Sequence, residues 1–384
     1  MKMTVKILAL LLILTLTAGV VIAQMQNGRL SVSDKERVRK RFQSMIDSRG
    51  YSGAVYAVYH NDVIFDGGGG TATSTLQNGS DIAYGVASLT KQFTAAAIMQ
   101  LAEKRMINVS DTLSRFFPGY AYGDQITIRH LLSQRSGIPD YSVYTEGETI
   151  FVTCFGDDDP GIVISSNAAA QDNQDKIRAF FLSKELLFEP GSEFDYSDSN
   201  FALLAEIVTR VSGMSYHEYI RQNIFEPLGM EKSAFIDDYD PAVITKTAQT
   251  DRSEFSLDYY TVKGAEYGCG DILTTPKDLY LWYRGLMAGK VVSQKSYQEM
   301  TTNYSLPDEL GYGYGMMISD KSESKVIYHY GYIPSFYSSM MYVPGEDYFQ
   351  VVLSNHANGD PHRLAADLIK YFGAVIDVEF VEVE

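Results

Sequence analysis

The stretch YGVASLTKQFTAAAIMQLAEK (residues 84–104) places a serine and a lysine three residues apart where an apolar helix begins. Four apolar residues recur at every fourth position of this stretch: Leu89, Phe93, Ala97 and Leu101. This spacing predicts a buried helix. Residues i and i+3 lie on the same face of a helix, so Ser88 and Lys91 are expected to point into the same space.

The pairing of Ser88 with Lys91 suggests nucleophilic chemistry. A serine hydroxyl is a weak nucleophile until a neighbouring base takes its proton. Lysine can do so when its pKa is depressed toward neutrality, and burial and the positive helix N-terminus both act in that direction. The spacing alone is weak evidence, because it should occur about once by chance in a chain this long. Ser322 and Lys325 repeat it in a polar stretch that we interpret as a surface loop.

The helical pattern continues beyond this stretch to about residue 230. Apolar residues recur at helical spacing before a stop at Gly213, namely Phe201, Leu204, Ile207, Val208 and Val211. We therefore predict a mainly helical subdomain over about residues 88–259. Within it, the loop over residues 141–173, which carries Cys154 and the acidic stretch FGDDDPG, matches no pattern. We expect this loop near the mouth of the site.

Strand patterns lie on both sides of the helical region. Residues 53–70 alternate and break at Asn61-Asp62, which predicts a β-hairpin. After about residue 310, KVIYHYGY, SFYSSMMYVP and YFQVVLSN are aromatic and β-branched, and a helix over residues 361–372 follows them. Neither strand group can stand alone. The prediction is therefore an α/β (α+β) fold, in which residues 30–87 and 260–375 form one antiparallel sheet flanked by helices around the inserted helical subdomain.

The first 23 residues have the pattern of a cleaved signal peptide, with two lysines, an apolar run and small residues before Gln24. A membrane anchor is the alternative, but the run is short and polar residues follow at once. The mature chain would comprise a catalytic domain over residues 24–375 and a tail over 376–384. It would be exported, periplasmic or extracellular, with no stable membrane anchor.

The charge of the mature chain makes nucleic acid a poor partner. Removing the first 23 residues leaves 30 basic and 48 acidic residues, a net charge of −18. Phosphate contacts need clustered lysine and arginine, which this balance does not favour.

The sequence gives no reason to expect a cofactor or a metal. It contains no CxxC or HExxH motif, and its six histidines are scattered. The acidic run at residues 157–159 could touch a calcium ion, but a solvated loop is the simpler interpretation. The two cysteines, Cys154 and Cys269, lie 115 residues apart, and the sequence leaves open whether they pair.

Two later stretches accompany Ser88 and Lys91. Tyr196 precedes the helix of FDYSDSNFALLAEIVTRVSG, and His329 and Gly331 lie in the strand-like YHYGYIPSF. The chain thus carries three motifs in order: SxxK, a variant of Tyr-x-Asn, and a strand with Lys or His followed by x-Gly. In this order they resemble the motifs of the serine β-lactamase and penicillin-binding superfamily. The resemblance extends over about residues 53–372. It is closest to class C β-lactamases, D-alanyl-D-alanine carboxypeptidases and the related esterases and D-aminopeptidases.

The resemblance implies a β-lactamase/transpeptidase-like fold and an acyl-enzyme mechanism. Ser88 would attack a carbonyl carbon, while Lys91 and the phenol of Tyr196 share the proton. The backbone N–H groups of Ser88 and Tyr332 would form the oxyanion hole. Water would then release the acid.

The substrate-binding positions implied by the resemblance are Asp198, His329 and Gly331, and two of them depart from the family pattern. Asp198 stands where the family usually has asparagine, and an ionised aspartate can accept but not donate a hydrogen bond. His329 stands where many β-lactamases have lysine, and a mostly neutral imidazole attracts a substrate carboxylate less strongly. Both departures disfavour efficient β-lactam hydrolysis.

The leading hypothesis is an exported serine hydrolase acting on D-amino-acid peptides, amides or small esters. Its partner would be a small molecule or a short peptide, including peptides from cell walls. One alternative is a β-lactamase. Another is a catalytically silent module that binds or senses cell-wall peptides.

Overall fold

The computed structural model describes residues 30–146, 149–154, 161–238, 248, 262–320, 324–334, 336–356 and 360–378. The segment predicted to be a signal peptide (residues 1–23), the acidic run at residues 157–159, Ser322 and residues 379–384 of the tail lie outside these ranges. Among the described residues, none of the helices combines the length and apolar character needed to cross a membrane.

The described residues contain twelve short strands, and every pair of neighbouring strands is antiparallel. They are β1 (Gly53–Tyr59), β2 (Asp62–Gly69), β3 (Tyr84–Gly85), β4 (Tyr141–Glu146), β5 (Thr149–Cys154), β6 (Ile162–Ile164), β7 (Ala234–Phe235), β8 (Ile272–Thr274), β9 (Met317–Ser319), β10 (Val326–Ile333), β11 (Phe336–Val343) and β12 (Tyr348–Ser354).

Helices precede, separate and follow these strands. They are α1 (Val32–Ser48), α2 (Thr90–Glu103), α3 (Ile128–Leu132), α4 (Ala170–Leu182), α5 (Asp198–Ser212), α6 (Tyr216–Ile220), α7 (Glu226–Leu228), α8 (Pro276–Met287), α9 (Gln294–Met300) and α10 (Pro361–Ile376).

The main sheet joins the two ends of the described chain. Its strand order is β2-β1-β12-β11-β10-β9, and each neighbouring pair is antiparallel. Strand β1 pairs with β12 from Gly53 opposite Ser354 onward. His60 and Asn61 connect β1 to β2 with φ values of 47° and 64°, the left-handed conformations that a tight hairpin turn of type I′ requires. The predicted antiparallel sheet is confirmed.

The two faces of the sheet belong to different cores. Along β1, Val55, Ala57 and Tyr59 pack with α1 and α10, while the alternate residues of the strand pack on the opposite side. The rings of Tyr59 and Phe372 contact edge to face at 5.1 Å. The opposite face carries the larger core, which includes α2 and α8. The predicted last helix therefore covers the sheet, as expected.

Helix α2 is buried on all sides, as the apolar stretch predicted. Every residue from Thr90 to Leu101 is buried. Phe93 stacks on Trp282 with ring centroids 4.1 Å apart. A single 3₁₀ turn, Ala87–Leu89, precedes the helix, so Ser88 lies in that turn rather than in the α-helix itself.

The region predicted to be mainly helical also contains a small sheet, which the sequence interpretation missed. Strands β4, β5 and β6 pair antiparallel in that order. Residues 141–173, which we interpreted as a loop that matches no pattern, contain these three strands, and the burial of TIFVTC in β5 alternates with a period of two. The boundaries at residues 88 and 259 remain predictions, and residue 259 lies outside the described residues. Cys154 and Cys269 are both buried and form no disulfide.

Candidate active site

Ser88 is held in a constrained turn at the start of α2. The preceding residue, Ala87, has φ of 50°, a left-handed conformation that non-glycine residues rarely adopt. Ser88 is partly exposed, whereas both of its chain neighbours are buried. The turn therefore presents one hydroxyl from an otherwise buried stretch.

Lys91 is completely buried, and its ammonium has three acceptors. Its Nζ lies 3.0 Å from Ser88 Oγ, 2.9 Å from the Cys269 carbonyl oxygen and 2.5 Å from Asp198 Oδ1. The first two contacts are hydrogen bonds, and the third is an ion pair. Ser88 and Lys91 are brought together as predicted.

The pKa of Lys91 moves in the direction opposite to the one expected from burial. Burial alone lowers the pKa of the ammonium, but the charge of Asp198, with smaller contributions from Tyr196 and Cys269, raises it well above its usual value. The lowering of the lysine pKa expected from burial is therefore outweighed by the nearby carboxylate of Asp198. Lys91 rests as an ammonium ion.

Tyr196 lies beside this ammonium. Lys91 Nζ is 4.9 Å from the centroid of the tyrosine ring, and the phenol oxygen is buried without a well-aligned hydrogen bond. Burial raises the pKa of Tyr196 well above its usual value, although Lys91 and Ser88 both favour the phenolate. The three residues of the predicted nucleophile group thus lie together, with Lys91 and the Tyr196 hydroxyl buried and Ser88 partly exposed.

Gln134, which sequence reasoning missed, holds the segment that carries Tyr196. Its Oε1 accepts hydrogen bonds from the Ser197 backbone N–H at 3.1 Å and from Asn200 Nδ2 at 2.6 Å. Its carbonyl oxygen accepts from the N–H of Asp195 at 3.0 Å. Nothing in the local sequence around Gln134 pointed to this role.

Asp198 is the first residue of α5 and keeps 27% of its side chain exposed, so a substrate can reach it. Two further carboxyl groups, which sequence reasoning also missed, flank it. Asp140 Oδ1 accepts a hydrogen bond from the Asp198 N–H at 2.6 Å, and burial together with the charge of Asp198 raises the pKa of Asp140 to about 8. The same two causes raise the pKa of Glu266 to about 7.

His329 lies behind the site rather than at its surface. Its ring is completely buried, its Nδ1–H donates to the Tyr330 carbonyl oxygen at 2.6 Å, and its Nε2 lies 3.3 Å from the Tyr312 hydroxyl. Burial and the Lys91 charge lower the pKa of His329 to about 3, so the ring is neutral. The structure therefore gives no support to the expected contact between His329 and a substrate carboxylate.

Gly331 allows β10 to approach the nucleophile turn closely. A Cβ atom at this position would lie 2.3 Å from Ser338 Oγ and 2.5 Å from the Val86 carbonyl oxygen. The next residue, Tyr332, is 59% exposed, and its ring is tilted against the ring of Tyr337 with centroids 4.9 Å apart. Because side chains alternate along a strand, the Tyr332 ring faces away from the side to which Gly331 belongs. The expected oxyanion hole therefore involves the backbone of Tyr332 and not its ring.

The residues near Asp198 are poor metal ligands. Among the described residues, one group brings three potential ligand atoms within 4.8 Å of one another, from Asp198, Glu266 and Cys269. Lys91 already pairs with Asp198, and burial raises the pKa of the Cys269 thiol well above its usual value. A thiol must ionise to bind a metal, so this group does not favour one.

Comparisons with known proteins agree with the geometry. A family model described as Beta-lactamase matches residues 38–374. The putative penicillin-binding protein PbpX of Bacillus subtilis (strain 168) is 30% identical over 303 residues, which cover 77% of this chain and 68% of that protein. The chain belongs to the Beta-lactamase family, and it is a serine hydrolase.

Solved structures share the fold over almost the whole chain. A penicillin-binding protein from Bacillus halodurans is 25% identical with a TM-score of 0.69, covering 87% of this chain and 98% of its own. The D-amino acid amidase from Ochrobactrum anthropi SV3 is 23% identical with a TM-score of 0.66, covering 88% and 98%. The predicted β-lactamase/transpeptidase-like fold is confirmed.

Proposed function

We propose that this chain is an exported serine hydrolase that forms an acyl-enzyme on Ser88 and acts on D-amino-acid peptides, amides or small esters. The observation that carries the proposal is the 3.0 Å contact between Ser88 Oγ and Lys91 Nζ, with the buried phenol of Tyr196 beside it. A partly exposed hydroxyl next to groups that can take its proton is the arrangement that nucleophilic catalysis needs.

The reaction begins after Lys91 has lost one proton to solvent. The Lys91–Tyr196 pair then takes the proton of Ser88 as Oγ attacks the substrate carbonyl carbon. The N–H groups of Ser88 and Tyr332 stabilise the resulting oxyanion, and loss of one such donor costs on the order of 10²- to 10³-fold in rate. Collapse of the tetrahedral intermediate breaks the bond to the leaving group, which receives the proton. Water then attacks the acyl-enzyme and regenerates the Ser88 hydroxyl.

The charges at the site support a substrate with a free amine over one with a carboxylate. Asp198 is accessible and negative, Lys91 is fully buried and paired with it, and His329 is buried and neutral. A β-lactam carboxylate or a carboxylated peptide would be repelled by Asp198, whereas an α-ammonium would be attracted to it. This argument favours D-amino-acid amides and free-amine peptides over β-lactams.

A labelling experiment tests the nucleophile. A fluorophosphonate should label the wild-type chain at Ser88, and Ser88→Ala should abolish both labelling and turnover while the fold is retained. Ser322→Ala, in the second SxxK sequence, is the matched control and should change neither. In that second copy, Lys325 donates to the Thr301 carbonyl oxygen. Equal loss of labelling in both variants would refute Ser88 as the nucleophile.

A substrate panel separates the proposed activity from the alternatives. We expect hydrolysis of D-amino-acid p-nitroanilides, D-alanyl peptides or short acyl esters to exceed that of nitrocefin. Rapid nitrocefin turnover would instead identify a β-lactamase. Absence of both labelling and turnover would leave the silent binding module, which the intact group of Ser88, Lys91 and Tyr196 argues against.

Export rests on the pattern of residues 1–23 and has its own test. Expression of the full chain in a bacterial host should yield a protein outside the cytoplasm whose N-terminus is Gln24. An intact Met1 in the cytoplasmic fraction would contradict export without affecting the proposed chemistry.

A further inference from the structure

Residues 268–272, which we call the bracing segment, run beside the nucleophile. Four of their backbone groups form hydrogen bonds with that region: Gly268 O with Thr94 Oγ1 at 2.7 Å, Cys269 O with Lys91 Nζ at 2.9 Å, Ile272 N with Thr90 Oγ1 at 3.1 Å, and Ile272 O with Val86 N at 3.0 Å. One of the three acceptors of Lys91 is therefore a carbonyl oxygen whose place depends on how this segment is held.

The bracing segment is anchored from its other side by a buried ion pair. Asp271 has a side chain that is 2% exposed, and its Oδ2 lies 2.8 Å from Nε2 of His217 on α6. The second carboxylate oxygen of Asp271 is buried and has no hydrogen-bond partner. His217 is thus the group that satisfies the Asp271 side chain.

His217 is itself fixed on two further sides. Its ring stacks on Phe235 with centroids 3.9 Å apart and an interplanar angle of 12°. Its Nδ1 lies 3.5 Å from Asp238 Oδ2. Burial disfavours the imidazolium, but Asp238 and Asp271 outweigh it and raise the pKa of His217 to about 9. The ring is therefore a rigid, charged donor at neutral pH.

We propose that His217 is a positioning residue for the reaction: by holding Asp271, it keeps the Cys269 carbonyl oxygen against Lys91 Nζ. The proposal rests on the proposed function of Ser88 and Lys91. If the imidazole is lost, the buried carboxylate of Asp271 remains without its hydrogen-bond donor, which is energetically costly. We expect the bracing segment to move so that this carboxylate reaches water or another donor. Lys91 would then lose a fixed acceptor and its alignment with Ser88 Oγ.

The test compares His217→Phe with two other variants of the full chain. Phenylalanine keeps a ring to stack on Phe235 but removes both donors. His217→Gln keeps an N–H donor toward Asp271 and serves as the conservative rescue. Arg178→Met is the matched control, because it breaks another partly buried ion pair, between Arg178 and Glu206 at 2.6 Å, that does not involve the bracing segment.

The readouts are the rate of fluorophosphonate labelling at Ser88, and kcat and KM separately for whichever substrate the wild type hydrolyses. We expect His217→Phe to lower the labelling rate and kcat by about tenfold or more with KM little changed, since small misplacements of reacting groups are costly. His217→Gln should recover most of the loss, and Arg178→Met should match the wild type.

The outcomes separate this inference from the proposed function. Labelling of His217→Phe at the wild-type rate, or an equal loss in His217→Phe and His217→Gln, would overturn the positioning role. If His217→Phe does not fold, the comparison moves to the Asp271→Asn background, which leaves no unpaired charge. There Asp271→Asn alone should keep the hydrogen bond and the rate, and adding His217→Phe should lower the rate. A wild type that is not labelled would refute the proposed function instead.

Discussion

The protonation of Lys91 is the residue-scale feature on which the proposed chemistry depends. In the resting arrangement Lys91 donates to Ser88 Oγ and to the Cys269 carbonyl oxygen and forms an ion pair with Asp198, so it is held as an ammonium. It can act as a base only after one of its protons leaves. The negative charge of Asp198, which lies 2.5 Å away, opposes that loss.

Asp198→Asn should therefore make Lys91 easier to deprotonate. An opposite charge within about 4–6 Å shifts a pKa by about 1–3 units, so its removal should move the rising limb of the kcat/KM profile to lower pH by an amount in that range. The same change should increase β-lactam acylation relative to hydrolysis of free-amine substrates, because the asparagine amide can donate. The pH profile of kcat/KM and the ratio of β-lactam acylation to hydrolysis of free-amine substrates are measured for the wild type and for Asp198→Asn.

Asp195→Asn is the control for this prediction, since Asp195 belongs to the same segment but forms no ion pair with Lys91 among the described residues. Asp195→Asn should leave unchanged both the rising limb of the kcat/KM profile and the ratio of β-lactam acylation to hydrolysis of free-amine substrates. An unmoved limb and an unchanged ratio in Asp198→Asn would mean that Asp198 has no part in the proton transfer.

At the scale of elements, the close contact between β10 and the nucleophile turn decides whether the Ser88 backbone is properly placed. Gly331 has no side chain where the carbonyl oxygen of Val86 and the hydroxyl of Ser338 approach it. Ser338 Oγ donates to that same carbonyl oxygen at 2.8 Å. The strand and the turn are therefore fitted to each other at a position that accepts only glycine.

Gly331→Ala should force β10 away from the turn. Overpacking of this kind typically costs about 1–3 kcal/mol, and we expect the free energy of unfolding to fall by that amount and Ser88 labelling to slow by at least about tenfold. Urea denaturation and labelling kinetics check the two effects. The matched control is Gly345→Ala in the turn before β12, because a Cβ atom there meets nothing within 4 Å. Equal behaviour of the two variants would contradict the fitted contact.

At the scale of the whole molecule, the fold gathers acidic groups from distant parts of the chain around one lysine. Asp140 follows α3, Asp198 begins α5 and Glu266 precedes β8. Burial and the charge of Asp198 raise the pKa of Asp140 to about 8 and that of Glu266 to about 7. In the folded state both groups therefore favour their neutral forms far more than in the unfolded chain.

This difference makes folding stability depend on pH. The folded pKa of Glu266 is above the unfolded value of about 4.3, so its contribution is fully present below that value and is lost as the pH rises through about 7. We predict that the free energy of unfolding decreases between about pH 4.5 and 7.5. Glu266→Gln, which cannot ionise, should flatten this decrease by on the order of 1–3 kcal/mol.

Urea denaturation across this pH range measures the effect. Glu309→Gln is a suitable control, because Glu309 forms an ion pair with Arg135 at 3.1 Å away from this group. A pH dependence that is the same in wild type and Glu266→Gln would show that Glu266 ionises normally in the fold.

Much of the architecture was predictable because it depends on near neighbours in the chain. The hairpin at Asn61, the three late strands, the last helix and the buried helix after Ser88 all follow from periods of 2 or 3.6 residues. The spacing of Ser88 and Lys91 likewise placed them together within one helical turn. The small sheet β4-β5-β6 was missed because its alternation is brief and lies within the stretch of residues 141–173, which we interpreted as a loop.

The sequence by itself therefore determined the order of most elements, the main antiparallel sheet and the Ser88–Lys91 pair, since each rests on contacts between close residues or on one repeated pattern. Only the tertiary structure decided that Lys91 is a paired ammonium, that His329 is buried and neutral, and that Asp140 and Glu266 lie beside Asp198. Charge state and burial depend on groups that are distant in the chain and meet only when the chain has folded.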